Sequence, residues 1–401
     1  VNKVNLGGMK FYDTNQKELV DFAVTAGQEV RIYVCGITPY DSAHLGHIFT
    51  FMTYDLLSRR LQELGATVKM VRNITDVDEP IYKKAAQMGI PYTELAEKET
   101  QSFQKTLAKL NFMPASAEPK ASEYIQQMAV SVKEMLREGV AYKLDEDIYF
   151  DVHKIEGFGR LSGFSHKLQL NFMHLRGGDP DRPGKHNPLD FLLWKGVTDT
   201  NDPAAWDSPV GYGRPGWHIE CTVMSSELLG LPFDIHGGGS DLIYPHHEAE
   251  NAQSSALGYG CPAKYWLHVS PMLFAGEKMS KSLGNLVFAK DLLGHYSAGA
   301  IRLALMRYHY RTGGEWRHEY LEESEQLLTR IKYVMQHAPA KDSRELLRSI
   351  RELLDNDLNM PYIAFLMRQY VKNCAHCCKD KTGEDTDPEA VQAVLSLLGL
   401  E

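Results

Sequence analysis

Val30, Ile32, Tyr33 and Val34, β-branched or aromatic and interrupted by Arg31 alone, stop at the turn-like Cys35-Gly36-Ile37-Thr38-Pro39, after which helical spacing holds from about 46 to 64. A second short buried strand is expected at 67–71. Strand, helix and strand in that order form half of a doubly wound parallel sheet, so the expected fold is α/β with a Rossmann-like nucleotide-binding domain. Helical periodicity returns over 80–111 and 121–138, interrupted by the proline-bearing stretch 114–119, and these segments are expected to cover the edge of the sheet. From about 140 the pattern shortens to a strand at 147–152 and then a Gly- and Pro-dense run at 176–185, which marks a loop-rich inserted subdomain. The sheet resumes at 232–236 and 265–269. Beyond 283 the spacing is helical, with helices expected at 298–308, 319–336, 344–355 and 360–378. The organisation expected is a first catalytic half over 9–139, an insert over 140–200, a second half over 201–290 and a C-terminal α-helical bundle over 291–401. Residues 1–8 read as a ragged start outside this scheme.

Composition narrows the class without choosing a chemistry. A chain of 401 residues, 43% hydrophobic and 24% charged, is too long for one ordinary core and too ordinary for a disordered or fibrous protein. No run approaches the roughly 18–20 apolar residues of a membrane helix, and no secretory pattern opens the chain, so the expected location is the cytoplasm. Net charge is -9, a poor overall match to a polyanion such as tRNA. Six cysteines, neither dense nor evenly spaced, fit free or metal-bound thiols better than disulfides.

Three constellations can carry chemistry. His44-Leu45-Gly46-His47 falls at a strand-to-helix turn, where a glycine admits a nucleotide's approach and a helix N-terminus with two imidazoles favours phosphate; a turn glycine and a capping histidine are the plainer account. Lys278-Met279-Ser280-Lys281-Ser282 follows a strand and the Gly276 turn, and its two lysines can stabilise the charge of departing pyrophosphate, unless they form only a solvated basic loop. Cys35, Cys221, His246 and Glu250 each lie where a strand or turn meets the next element, and so can converge above the carboxyl ends of the sheet. Two thiolates, an imidazole and a carboxylate suit Zn²⁺, and His246 and Glu250 share a helix face at i, i+4. Isolated buried cysteines and a capping histidine are the alternative. Cys374, Cys377 and Cys378 also imitate a ligand spacing, but their helical periodicity points to core packing.

The first two motifs, in this order and about 230 residues apart, resemble the paired signatures of class I aminoacyl-tRNA synthetases. Tyr33-Val34-Cys35-Gly36-Ile37-Thr38, Arg72-Asn73-Ile74-Thr75-Asp76, Gly213-Arg214-Pro215-Gly216-Trp217-His218-Ile219-Glu220-Cys221 and Asp234-Ile235-His236-Gly237-Gly238-Gly239-Ser240-Asp241 are similar to the blocks of the cysteinyl-tRNA synthetase superfamily. That resemblance implies ATP-dependent activation of L-cysteine as its adenylate, with Mg²⁺ accompanying ATP and zinc held by Cys35, Cys221, His246 and Glu250. It further implies that Thr38, Thr75, Trp217 and His236 line the cysteine pocket and that His44, Gly46 and His47 meet the ATP phosphates. Gly237, Gly238, Gly239 and Asp241 would hold adenosine, and Lys278, Met279, Ser280 and Lys281 would assist adenylation.

Two reactions share this first half. One esterifies tRNA, whereas the other, in the mycothiol cysteine ligases, acylates the amine of glucosaminyl-inositol. Thr38-Pro39-Tyr40-Asp41, the insert at 176–184 and the final Ala393–Glu401 stretch resemble the ligases, and only about 120 residues follow the lysine motif. Glu250 and Asp234-Ile235-His236 resemble the tRNA enzymes instead. A small amine acceptor is the favoured expectation, with tRNA the alternative and a non-catalytic paralogue a third. The base that would take the amine's proton is open, with Asp76, Asp241 and a histidine as candidates.

Overall fold

The computed structural model describes residues 5–279, 284–377 and 386–401, with side chains described throughout those stretches except at 5, 6 and 374–377. Its central sheet has four parallel strands in the order Ala263–Val269, Phe233–Gly239, Glu29–Ile37, Thr67–Ile74. The two strands of each half lie side by side, so the halves meet between Glu29–Ile37 and Phe233–Gly239. That junction is the topological switch point, where the connections leave to opposite sides and open a crevice above the carboxyl ends. Cys35 ends one of these two strands, and His236 and the three glycines end the other.

Helix Leu45–Glu63 covers one face of the sheet and buries Ile48, Phe49, Met52, Leu56 and Leu57 completely. Each such side chain contributes about 1.5–3 kcal/mol of transfer free energy, which fixes the helix against the sheet and so fixes its N-terminus at the crevice. The expected helical stretch 80–111 is two helices, Glu79–Met88 and Tyr92–Lys109, because Gly89 takes a left-handed φ of 66° and Pro91 follows. Ala121–Tyr124 is a tight 3₁₀ turn leading into the helix Ile125–Arg137.

The insert forms an antiparallel sheet, Ala141–Leu144, Asp147–Phe150, Phe191–Gly196 and Gly213–Pro215 in sequential order, together with the helix His166–Leu175. Its last strand lies past residue 200 and runs directly into Trp217–Leu229, the helix that carries Cys221. Glu248 ties the insert to the catalytic half, accepting from the backbone N–H of Gly159 at 2.8 Å and of Ser162 at 3.0 Å. A second small sheet joins Met272–Phe274 to Glu277–Lys278 and Gly314–Glu315 and presents Lys278 to the crevice.

The C-terminal part is helical: Ala298–Leu305, Glu319–His337, Ala340–Asp355, Met360–Cys377 and Pro388–Leu398. It is fastened to the helix Leu45–Glu63 by charge inside the interface. Arg302 is fully buried and donates to Asp55 at 2.5 Å and to the Leu398 carbonyl at 2.9 Å, while Arg60 forms a fork with Asp355 at 2.8 and 2.7 Å. Removing one partner of a buried pair like Arg302–Asp55 costs about 3–5 kcal/mol.

The opening of the chain corrects the sequence reading. Asn5–Asp13 pairs antiparallel with Glu18–Thr25, so residues 5–8 belong to the fold instead of preceding it. Phe11, Phe22 and Val24 face the core, and Thr14 donates to the Trp266 carbonyl at 2.8 Å, covering the edge strand of the central sheet. No helix among the described residues is long and apolar enough to cross a membrane.

Candidate active site

One large cavity of about 1060 Å³ opens at the switch point. Its floor includes Cys35, Trp217 and His218, one side carries His44, Gly46 and His47, and another carries Gly239, Asp241, Lys278 and Met279. Met173, Leu175 and Arg176 of the insert complete the wall.

Beneath the floor, donor atoms of Cys35, Cys221, His246 and Glu250 all lie within 4.8 Å of one another, and all four residues are buried. The two sulfurs are 3.8 Å apart, about the edge of a tetrahedron with 2.3 Å metal–sulfur bonds. His246 Nε2 lies 3.1 Å from Glu250 Oε1, close to the roughly 3.3 Å edge expected for nitrogen and oxygen ligands of one ion. The remaining ring and carboxylate atoms are engaged elsewhere: His246 Nδ1 meets His218 Nδ1 at 2.9 Å, and Glu250 Oε2 meets His236 Nε2 at 2.8 Å. Such outer contacts orient metal ligands. A second set, Cys35, His236, His247 and Glu250, shares two members with the first. The soft pair of sulfurs favours the first set for a cation such as zinc.

The electrostatics of this cluster are set first by burial. Burial, then the neighbouring Cys221 thiol and the Glu250 carboxyl, pushes the Cys35 thiol well above its ordinary range. Burial, then His218 and His236, drives the His246 imidazole well down, and His218 is itself lowered by burial to about 3. Without a cation the Cys35 thiol keeps its proton and these two imidazoles are neutral; a bound cation reverses the preference at sulfur.

The wall above is charged. Lys278 Nζ reaches Asp241 at 2.9 Å, and Arg176 approaches the same carboxylate at 3.6 Å. Burial opposes charge on Asp241, but Lys278 and then Arg176 outweigh it and hold its carboxyl below the usual range. His44 caps the helix Leu45–Glu63, its ring accepting from the Gly46 N–H at 3.1 Å and stacking on His47 with centroids 3.8 Å apart. A Cβ at Gly46 would sit 2.9 Å from the His44 ring, so the glycine is required by that ring.

The model of the class I (C) tRNA synthetase catalytic domain matches residues 21–326. The chain belongs to this family. A curated relative from Thermobifida fusca is 42% identical over 94% of this chain and 91% of its own length, and carries the name L-cysteine:1D-myo-inositol 2-amino-2-deoxy-alpha-D-glucopyranoside ligase. A protein of the same name from Acidothermus cellulolyticus is 37% identical over 97% of this chain and 94% of its own. Among solved structures, a methionyl-tRNA synthetase of Mycobacterium tuberculosis in complex with methionyl-adenylate superposes with a TM-score of 0.61 at 14% identity, covering 93% of this chain and 88% of that one. At that identity the likeness shows the fold alone.

In this class I chain the remaining sequence-derived candidates fall into three groups. Thr38 and Trp217 line the cavity, and Trp217 stacks on His246 with centroids 4.3 Å apart. Thr75 and His236 are buried below: Thr75 accepts from Asn73 at 3.0 Å, and His236 stacks on Trp266 at 4.6 Å. Of the glycines, Gly239 reaches the cavity, whereas Gly237 is pressed against Tyr54, whose hydroxyl accepts from the Gly238 N–H at 2.7 Å and donates to Leu267 at 2.5 Å. Met279 is buried beneath Lys278. Ser280 and Lys281 lie outside the described residues, as does Cys378, and the side chains of Cys374 and Cys377 are likewise not described.

Sequence reasoning missed the histidine chain. His247 Nε2 lies 3.2 Å from the Cys35 sulfur, and its Nδ1 meets His268 at 2.7 Å, which in turn meets Thr14 at 2.7 Å. The doubled His246-His247 was the available signal; the reach to Thr14 needed the hairpin. It also missed Asp78, which lines the cavity beside Thr38.

Proposed function

We propose that this ligase joins L-cysteine to the amine of glucosaminyl-inositol, consuming ATP and releasing AMP and pyrophosphate. The observation that carries the reading is a single cavity lined by Cys35 of the buried Cys/His/Glu cluster, by the His44–His47 turn and by the Lys278–Asp241 pair. The names of relatives 37–42% identical over nearly the whole chain support the acceptor.

Cys35, Cys221, His246 and Glu250 would hold zinc, which supplies a soft Lewis acid that binds the substrate's thiolate and rejects the hydroxyl of serine. Thr38 and Trp217 flank the amino acid above that floor. ATP as substrate, with its Mg²⁺, lies over the N-terminus of Leu45–Glu63, where the positive end of the helix dipole and the His44 and His47 rings face the phosphate oxygens. The cysteine carboxylate then attacks the α-phosphorus in line, and pyrophosphate leaves. Lys278, together with Lys281 of the same motif, stabilises the charge that develops on it. Asp241 holds Lys278 in place until nucleotide binds. In the second half-reaction the acceptor amine attacks the carbonyl of cysteinyl-AMP and AMP departs, with no covalent enzyme intermediate. The insert wall, from Met173 to Arg176, narrows the cavity on the acceptor's side.

Cysteine-dependent exchange of pyrophosphate into ATP tests the first half. Exchange with cysteine and none with serine is expected; equal exchange with both would remove thiolate selection from the account.

A further inference from the structure

The proposed transfer needs a group to take a proton from the attacking nitrogen, and the structure narrows the choice. Asp76 is committed elsewhere: its two carboxylate oxygens accept from the Ser122 N–H at 2.9 Å and the Ser122 hydroxyl at 2.6 Å, and it does not line the cavity. Asp241 is held by Lys278 and Arg176. Of the other cavity-wall carboxylates, Asp41 pairs with Lys84 at 3.3 Å, and Glu79 pairs with Arg214 at 2.7 Å and Lys195 at 3.4 Å. Asp78 and Asp179 form no ion pair among the described residues, and Asp179 is exposed on the insert loop.

Asp78 sits otherwise. It occupies the N-cap of the helix Glu79–Met88 but makes no side-chain cap bond there, and the helix N–H that acts on its carboxylate is that of the adjacent Glu79. It lines the cavity with Thr38, and the Thr38 hydroxyl and the Glu79 N–H both act to favour its charged form. A half-buried carboxylate that lines the cavity and forms no ion pair among the described residues is placed to meet an incoming cation. We propose that Asp78 is the catalytic residue that binds the protonated acceptor amine and takes one of its protons, freeing the nitrogen to attack cysteinyl-AMP. One proton passes from the ammonium to Asp78 Oδ, which frees the nitrogen lone pair to form the C–N bond; the carbonyl carbon's bond to the AMP phosphate oxygen breaks, and AMP leaves with that electron pair, its phosphate taking the second nitrogen proton. Burial supports the role by raising the carboxyl to about 6, against the opposing Glu79 N–H, which matches it to a proton acceptor near neutral pH. The inference rests on the proposed amine acceptor.

The test separates the half-reactions in Asp78→Asn. Cysteinyl-AMP is formed on the enzyme and chased with glucosaminyl-inositol in single turnovers. Transfer is expected to fall at least about 100-fold, the lower end of what one general base contributes, while cysteine-dependent exchange changes less than about threefold. Hydroxylamine, a weakly basic nucleophile largely unprotonated at neutral pH, should discharge the adenylate equally well on wild type and variant, and Asp78→Glu should recover part of the transfer rate. Exchange that falls in parallel with transfer would place Asp78 with cysteine instead of the acceptor and overturn the proposal, as would an unchanged transfer rate. If the wild type ignores glucosaminyl-inositol but acylates another amine, the acceptor reading falls and Asp78 is judged on that amine. If it acylates no amine, both fall.

Discussion

The floor and the wall of the cavity are built on opposite electrostatic rules. On the floor, Cys35, Cys221, His246 and Glu250 are nearly inaccessible, no lysine or arginine bridges them among the described residues, and burial holds Cys35 protonated and His246 neutral. On the wall, charges come paired and half-exposed: Lys278 and Arg176 on Asp241, Arg214 and Lys195 on Glu79. A dry floor of soft donors can tell sulfur from oxygen, which charge in water cannot do. A wet wall of exchangeable pairs can take up phosphates and release them, which a buried cluster cannot do. The division also explains why a protein of net charge -9 can serve an anionic nucleotide: the cations that matter are local and held ready by carboxylates.

The sharpest way to break this contrast is Cys221→Ser. We expect bound metal, read by elemental analysis, to be lost and exchange to fall by more than about 100-fold, the loss that removal of a ligand's mere partner can bring. Full activity without metal would dissolve the distinction. Lys278→Ala should then do the converse, slowing adenylation about 100-fold in rapid-quench assays while metal content stays unchanged. Salt should separate the two regions more gently: between about 0.05 and 0.5 M the KM for ATP is expected to rise several-fold while metal retention on dialysis stays constant, because screening reaches the wall and not the floor.

The smallest effect sits where floor and wall meet. Asp78 is raised from an unfolded value near 3.9 to about 6 in the fold, so the folded state binds more protons between those values and stability falls as pH rises through them. Glu79, Lys83 and Glu220 also act on this carboxyl. Asp78→Asn, which carries no such charge, should be more stable than wild type by on the order of 1 kcal/mol at pH 7, with the gain vanishing below about pH 4. Denaturant melts at the two pH values read this, and an unchanged difference across them would contradict the burial of that charge.

Much of this was legible in the sequence, for reasons that differ by element. Residues 30–34 and 46–64 declared themselves by β-branched and aromatic content and by helical spacing, and the observed Glu29–Ile37 and Leu45–Glu63 follow. The hairpin did not, although Phe11, Val20, Phe22 and Val24 alternate as a half-buried ribbon should, because its first residues were set aside as a loose end. Gly213–Pro215 is three residues long and has no period to read. Cys35 and Cys221 lie in different halves of the chain, so their placement at element ends and the family resemblance could only suggest a meeting, which the 3.8 Å between their sulfurs shows. Asp78 was invisible for a subtler reason. Its spacing describes an ordinary N-cap, and only the folded chain shows that the side chain makes no cap bond and lines the cavity.

The most direct test of the central claim follows labelled cysteine through one full reaction. Purified enzyme with ATP and cysteine is given glucosaminyl-inositol or bulk tRNA in parallel, and the product carrying label is identified. The account predicts an amide on the amino sugar, with stoichiometric AMP and no label on tRNA; label recovered as an ester on tRNA, with none on the amino sugar, would contradict it.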